Sequence, residues 1–276
     1  MGMEFTKAVG SGNDFIVVDN RGNLIPEPSK LAQELCPRRL SVGADGLLLL
    51  ERPPLSGAFG MRIFNPDGSE AEMCGNGLRC LLLYLVYKGL TPTDEFIPIE
   101  TKAGLRRGRV FKSSFRNRAT VEVSLGIPKD LRLSFSIEVA GVQFIANSVN
   151  TGVPHTVIEV TGLSKFPVKE LGRKIRFHTC FAPEGTNVNF VELDKDSLRI
   201  RTYERGVEDE TLSCGTGTAA AGIILNRLGK VDLPVKVSAF SGEVLTVTEE
   251  RGEAFLSGEA RIIYEGKCAT TPKIPV

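Results

Sequence analysis

The chain has 276 residues, enough for roughly two domains at ~150 residues each and for a core that needs no disulfide staples. With 42% apolar and 24% charged residues and a formal net charge of +1, it is neither disordered nor low-complexity, and its charge balance asks for no nucleic-acid surface. The two histidines, His155 and His178, exclude His-rich metal sites and the H-E-x-x-H protease helix, and six cysteines are too sparse for a disulfide scaffold.

No run of residues approaches the ~18 apolar positions of a membrane helix, and the N-terminus lacks the basic-then-apolar layout of a signal peptide. Gly2 and Thr6 match a myristoylation pattern that is short enough to arise by chance. The expectation is a cytoplasmic protein with reduced thiols that binds neither membrane nor nucleic acid. In chain order, strands are predicted over Phe15–Asp19, Leu47–Leu50, Met61–Phe64 and Val121–Leu125. A second set follows over Val157–Val160, Val188–Leu193, Leu198–Tyr203 and Val235–Ala239. Two helices, Leu78–Tyr87 and Thr218–Leu228, are apolar nearly all round and so are expected to be buried on every side. Each ends at a glycine, Gly89 or Gly229, suited to a left-handed cap.

These elements repeat. Cys74-Gly-Asn-Gly77 overlays Cys214-Gly-Thr-Gly217, and at the same spacing Glu70 falls on Glu210, Gly89 on Gly229 and Gly12 on Gly152. With a small slip, Gly43-Ala-Asp45 overlays Gly185-Thr-Asn187. The order of the matches argues for two halves of one ancestral unit. The fold class expected is α/β (α+β): two pseudo-symmetric domains, each a curled, mostly antiparallel sheet around a central helix. The domains are placed at 1–117, with about 266–276 returning to it, and at 118–265.

A thiol has an ordinary pKa of ~8.5, and a helix N-terminus lowers it through unpaired N–H groups and the macrodipole. Glycines after the cysteine let a ligand approach the backbone, and the same N–H groups can hold a carboxylate. One such site suggests a nucleophile. Two related sites suggest two thiols facing each other across a cleft, one removing a proton from carbon while the other donates one, which is two-base racemisation or epimerisation. The cysteine spacings make neither a zinc site nor a C-x-x-C redox pair. No pattern frames a lysine for pyridoxal phosphate, so no cofactor and no metal are expected. Cys36, Cys80, Cys180 and Cys268 read as inert.

In order along the chain, Gly10-Ser-Gly-Asn-Asp-Phe15, Gly43-Ala-Asp-Gly46, Arg62-Ile-Phe-Asn-Pro-Asp-Gly-Ser-Glu70, Cys74-Gly-Asn-Gly77, Gly185-Thr-Asn-Val188, Tyr203-Glu-Arg-Gly206 and Ser213-Cys-Gly-Thr-Gly217 resemble the diaminopimelate epimerase family. The resemblance implies a pyridoxal-independent isomerase that interconverts LL- and meso-diaminopimelate for lysine and peptidoglycan synthesis, with two pseudo-symmetric halves, the site between them, and a homodimer as a plausible assembly. It implies Cys74 and Cys214 as the acid/base pair, with His155 and Glu204 assisting. Gly75, Asn76, Gly215 and Thr216 would hold the reacting α-carboxylate through backbone donors. Asn13, Asn65, Asn187, Glu204 and Arg205 would read the substrate, largely at its distal end, where the planar fork of Arg205 suits a carboxylate.

Two positions depart from the pattern. Val153, in Gly152-Val-Pro-His155, stands where the family often has asparagine, and Gly46 where many members have glutamine. The expectation is a looser distal site, since a lost polar contact weakens rejection of substrates lacking the partner group. The loop at Glu208-Asp209 reads as a tolerated one-residue insertion. Proline racemases, with the same fold, typically carry histidine after the first Cys-Gly and Asp-Arg-Ser-Pro before the second cysteine; here Asn76 and Glu210-Thr-Leu-Ser213 stand instead. Phenazine-type isomerases lack the cysteine pair. A thiol oxidoreductase would need the two Cα atoms within ~7 Å, leaving no room for substrate, and a non-catalytic binding module would not need both thiols.

Overall fold

The computed structural model describes residues 2–52, 58–194 and 197–269. The chain forms two compact units, one running to Val123 and resuming at Gly258, the other Ser124–Ser257.

The first unit holds β1 (Met3–Gly10), β2 (Asn13–Asp19), α1 (Pro28–Leu35), β3 (Gly46–Glu51), β4 (Phe59–Phe64), β5 (Glu70–Ala71), α2 (Gly75–Tyr87), β6 (Ile97–Thr101), β7 (Gly104–Val110) and most of β8 (Arg118–Gly126). Pairing is mostly antiparallel, with β2–β3 and β4–β6 parallel. The strands β2 and β3 are apolar on both faces because both are covered. Ile16, Val18, Leu47 and Leu49 pack with Leu31, Ala32 and Leu35 of α1, while the intervening residues face α2. Leu78, Leu81, Leu82 and Leu85 of α2 are fully buried, each contributing roughly 1.5–3 kcal/mol. The left-handed glycine predicted at its end is present: Gly89 has φ +69°, and Leu90 N–H closes back on the Leu85 carbonyl at 2.9 Å.

The second unit continues from β8 with β9 (Lys129–Val139), β10 (Val142–Asn150), β11 (Pro154–Glu159), α3 (Val168–Arg176), β12 (Asn187–Asp194), β13 (Ser197–Glu204), β14 (Asp209–Thr211), α4 (Gly215–Arg227), β15 (Val235–Ser238), β16 (Val244–Glu250) and the first part of β17 (Glu253–Cys268). Its parallel pairs are β11–β12 and β13–β15. Ile158, Val188, Phe190 and Tyr203 pack with Val168 and Ile175 of α3, and α4 is the buried central helix. The helices α2 and α4 are each 13 residues long. No helix among the described residues is long and apolar enough to cross a membrane.

Sheet register refines the repeat. His155 pairs with Asn187 as Phe15 pairs with Gly46, and Val188 pairs with Tyr203 as Leu47 pairs with Phe64. Asn187 is therefore the counterpart of Gly46, one residue from the Asp45 match read from sequence. The divisions between units also differ from the sequence reading. They fall after Val123 and after Ser257 rather than at 117/118 and 265/266. The polar stretch before Asn117 is the connection from β7 to β8 within one unit, and the crossings lie inside the continuous strands β8 and β17, where composition does not change. Of the segment 266–276 assigned to the first domain, 270–276 lies outside the described residues.

Candidate active site

In the first unit, Arg62 and Glu70 tie β4 to β5 through two hydrogen bonds of 2.8 and 3.2 Å. The chain then turns into α2 with Cys74 as its N-cap, extended at φ −142°, ψ 119°. Cys74 is half-buried; its Sγ accepts from Gly77 N–H at 3.4 Å and its carbonyl from Leu78 N–H at 2.8 Å. The first turn carries no acidic residue, so its N–H groups present an unopposed anion-binding end. Gly77 packs closely on the sheet: a Cβ would lie 3.1 Å from Leu48 Cδ2 and 3.4 Å from Ile63 Cδ1.

The polar side chains beside Cys74 form a directed chain. Arg79, fully buried, donates to Ser11 Oγ and, at 2.7 Å, to Asn76 Oδ1. Asn76 Nδ2 donates to Asn13 Oδ1 at 2.7 Å, and Asn13 Nδ2 to Asp45 Oδ2 at 3.2 Å. Asp45 and Asp14 share Arg38, and Lys7 pairs with Asp14 at 2.7 Å. Asn76 and Asn13 are thus brought together and oriented by protein partners. Asn65 lies at the end of β4 and donates to Ser69 Oγ at 2.9 Å inside its own turn.

The second unit repeats the layout with different side chains. Arg201 and Glu210 tie β13 to β14 at 2.6 and 2.8 Å, and Cys214, buried, caps α4 at φ −122°, ψ 109°. Its Sγ lies 3.6 Å from Thr216 Oγ1. Thr216 Oγ1 lies 2.9 Å from His155 Nε2, and its carbonyl accepts from Thr151 Oγ1 at 2.9 Å. His155 is fully buried, and Nδ1 lies 3.2 Å from Asn189 Nδ2. Burial, and then the nearby Arg205 charge, lower its pKa to about 3, so the ring is neutral. A Cβ on Gly217 would lie 2.2 Å from Asn189 Oδ1.

Asn187 clamps two segments, donating from Nδ2 to the Pro154 carbonyl at 3.1 Å and accepting from Arg205 N–H at 2.8 Å. The guanidinium of Arg205 donates to the Glu184 carbonyl at 3.3 Å. Burial pushes the Glu204 carboxyl up, opposed by the Thr211 hydroxyl. Of the predicted set, the second unit thus joins Cys214, Thr216 and His155 in one cluster and Asn187 with Arg205 in another. Val153 is half-buried in the turn before β11. A side chain at Gly46 would meet the Phe64 carbonyl at 3.1 Å and the Phe15 ring at 3.4 Å.

Sequence reasoning assigned no role at the site to Asn189, Arg79, Asp45, Thr151 or Ser11. Arg79 is the lone charge in the buried stretch of α2, and Asn189 a polar residue between Val188 and Phe190, departures too common by themselves to mark a site. A cavity of about 370 Å³ in the second unit is lined by Arg132, Asn150, Pro154, His155, Glu184 and Thr186 among others. The larger groove of the first unit, about 890 Å³, is lined by Asp19, Arg21, Tyr84 and Lys88. It lies at the C-terminal end of α2, the far end of that helix from Cys74, and neither Cys74 nor Cys214 lines it.

The family model for diaminopimelate epimerase matches residues 5–129 and 147–263. The chain is 41% identical to the diaminopimelate epimerase of Aquifex aeolicus (strain VF5), over 96% of this chain and 97% of that protein. It is 43% identical to that of Hydrogenobaculum sp. (strain Y04AAS1), over 96% and 98%. Among solved structures, a phenazine biosynthesis protein of the PhzF family from Bacillus anthracis superimposes with a TM-score of 0.73 at 16% identity, covering 98% of this chain and 100% of that one, a likeness of fold.

Proposed function

The chain belongs to the diaminopimelate epimerase family and is an isomerase; from that premise we propose that it interconverts LL- and meso-diaminopimelate by a two-base reaction in which Cys74 and Cys214 act on one α-carbon. The observation that carries this reading is the paired layout: each unit presents a cysteine as the N-cap of a buried 13-residue helix whose first turn holds no acidic residue. A second cysteine cap is unnecessary for a single nucleophile and would supply the second proton-transfer group that a two-base inversion requires.

In this reading one sulfur, as thiolate, takes the α-proton while the other, as thiol, delivers a proton to the opposite face, and the reverse reaction exchanges the roles. The carbanion beside the carboxylate is stabilised by N–H donors of the first helical turns, at Gly75 and Asn76 and at Gly215 and Thr216. His155 and Glu204 assist. Asn13, Asn65, Asn187, Glu204 and Arg205 bind the rest of the substrate. The reaction needs no group beyond these side chains, and its product serves lysine and peptidoglycan synthesis. Before and after each turnover the pair holds one proton, so the rate peaks where one thiol is ionised and the other is not.

Val153 and Gly46 are read as a loosening of the distal site, so glutamate and aspartate would turn over slowly. The test of the function is incubation of the full chain with each diaminopimelate stereoisomer and chiral separation of the products. Interconversion of the LL and meso forms supports the reading; no change in either, from folded protein, refutes it.

A further inference from the structure

Three side chains beneath Cys214 differ in kind from their counterparts beneath Cys74. Sheet register sets His155 opposite Asn187 as Phe15 is opposite Gly46. It likewise makes Asn189 the counterpart of Leu48 and Thr202 the counterpart of Ile63. The glycines agree: a Cβ on Gly77 would face Leu48 and Ile63 at 3.1 and 3.4 Å, and one on Gly217 would strike Asn189. An apolar floor under one cysteine helix is a polar, hydrogen-bonded floor under the other.

The direction of those hydrogen bonds follows from groups that have only one role. The Thr156 carbonyl can only accept, so the Asn189 atom 3.0 Å from it is the amide nitrogen. Thr202 Oγ1 then donates to Asn189 Oδ1 at 3.0 Å. The same amide nitrogen is 3.2 Å from His155 Nδ1, which must therefore accept and carry no proton. A neutral imidazole with bare Nδ1 has its proton on Nε2, which points at Thr216 Oγ1, 2.9 Å away. The Thr216 oxygen is occupied as an acceptor, so its hydroxyl proton is free to point at Cys214 Sγ, 3.6 Å away.

We infer that Asn189, braced by Thr156 and Thr202, is a positioning residue for Cys214. It fixes the His155 tautomer, and the fixed tautomer commits the Thr216 hydroxyl to donate toward the Cys214 sulfur. His155 then serves as a neutral donor in a relay and not as the base that takes the Cys214 proton. A donor aimed at sulfur favours the thiolate. In the first unit the residue equivalent to Thr216 is Asn76, which donates to Asn13. The Cys74 sulfur accepts instead from the backbone N–H of Gly77, so the relay bears on Cys214. The charge acting on His155 is Arg205, from the end of β13; Asn189, Thr156 and Thr216 around it are neutral.

The inference rests on Cys214 being a reacting thiol, but its test reads the thiol itself and not turnover. The pH midpoint for alkylation by iodoacetamide is followed at each cysteine by peptide mass spectrometry, with the exposed Cys180 as control. Asn189→Leu, which installs the first unit's residue, and Thr216→Val should each raise the Cys214 midpoint by about one pH unit, roughly tenfold less thiolate at neutral pH. Thr216→Ser should restore it. Nitrogen-15 NMR of the two histidines should show His155 protonated at Nε2 only and unchanged from about pH 5 to 9, the range across which an ordinary histidine titrates. A proton on Nδ1 in the parent, or a Cys214 midpoint unmoved in either folded variant, Asn189→Leu or Thr216→Val, would overturn the inference. Should Asn189→Leu not fold, Thr216→Val and the parent spectrum still decide it. A shifted midpoint in a chain that epimerises no diaminopimelate would leave the relay standing and remove only the proposed reaction.

Discussion

Glu210 holds Arg201 by two parallel hydrogen bonds, Nε to Oε1 at 2.6 Å and Nη2 to Oε2 at 2.8 Å, immediately before the turn that delivers Cys214. Nη1 of the same guanidinium donates to the carbonyls of Leu163 and Phe166 at 2.8 and 3.0 Å. The counterpart pair, Arg62 and Glu70, precedes Cys74 but is more exposed, with side chains 42% and 25% accessible against 14% and 8%. Removing one partner of a buried pair strands a charge, at about 3 kcal/mol, whereas an exposed pair contributes below about 1 kcal/mol. Glu210→Ala should therefore destabilise the chain far more than Glu70→Ala in urea denaturation. Equal losses would show that burial does not distinguish the two clamps.

Acid should loosen the first unit through Asp14. Burial pushes its carboxyl up, but hydrogen bonds from Arg38 and Lys7 and the Lys7 charge prevail and hold it at about 2, below the ordinary 3.8. Since the folded value is the lower one, the stabilisation is full well above pH 3.8 and is lost as pH falls through 2. Asp14→Asn should cost roughly 1–2 kcal/mol near neutrality, the exposed Arg38 side chain being partly screened. The gap from the parent should close as the pH is lowered toward 2. A gap constant with pH, measured by urea denaturation, would contradict this account of the network.

The substrate range should respond to Val153 more readily than to Gly46. Val153 is half-buried in a turn, whereas a side chain at Gly46 would press on the Phe64 carbonyl and the Phe15 ring. Val153→Asn is expected to suppress slow turnover of glutamate and aspartate relative to diaminopimelate, by roughly tenfold or more, as for other lost or gained substrate contacts. A chirality assay across the three amino acids checks it; parent activity confined to diaminopimelate would remove the premise of a loosened site.

Much of this was legible in the chain because the repeat is written in residues with narrow conformational or chemical roles. Cys-Gly-x-Gly before an apolar run marked both helix starts, and Gly89 and Gly229 marked their ends, as φ values of +69° and +68° bear out. Asn189 was not legible, because one polar residue in an apolar strand has many bland explanations. Only its sheet partners and the bare Cα of Gly217 above it reveal the contact. Arg79 was hidden by the apolar residues around it, although its partners Ser11 and Asn76 lie in motifs that were read. The hairpin of β9 and β10 escaped because its turn, Ala140-Gly141, lacks the asparagine or aspartate that usually announces a tight hairpin. The crossings between units escaped because β8 and β17 run through them without interruption.

The most direct measurement of the two-base account is epimerisation in deuterated water. The parent should place solvent deuterium at the α-carbon of the product formed from each diaminopimelate isomer. Cys74→Ala and Cys214→Ala, each shown to be folded, should each abolish inversion, since either lost sulfur removes the base in one direction and the acid in the other. Inversion retained in either variant near the parent rate, or product formed without solvent deuterium, would contradict the assignment of Cys74 and Cys214 as the acid/base pair.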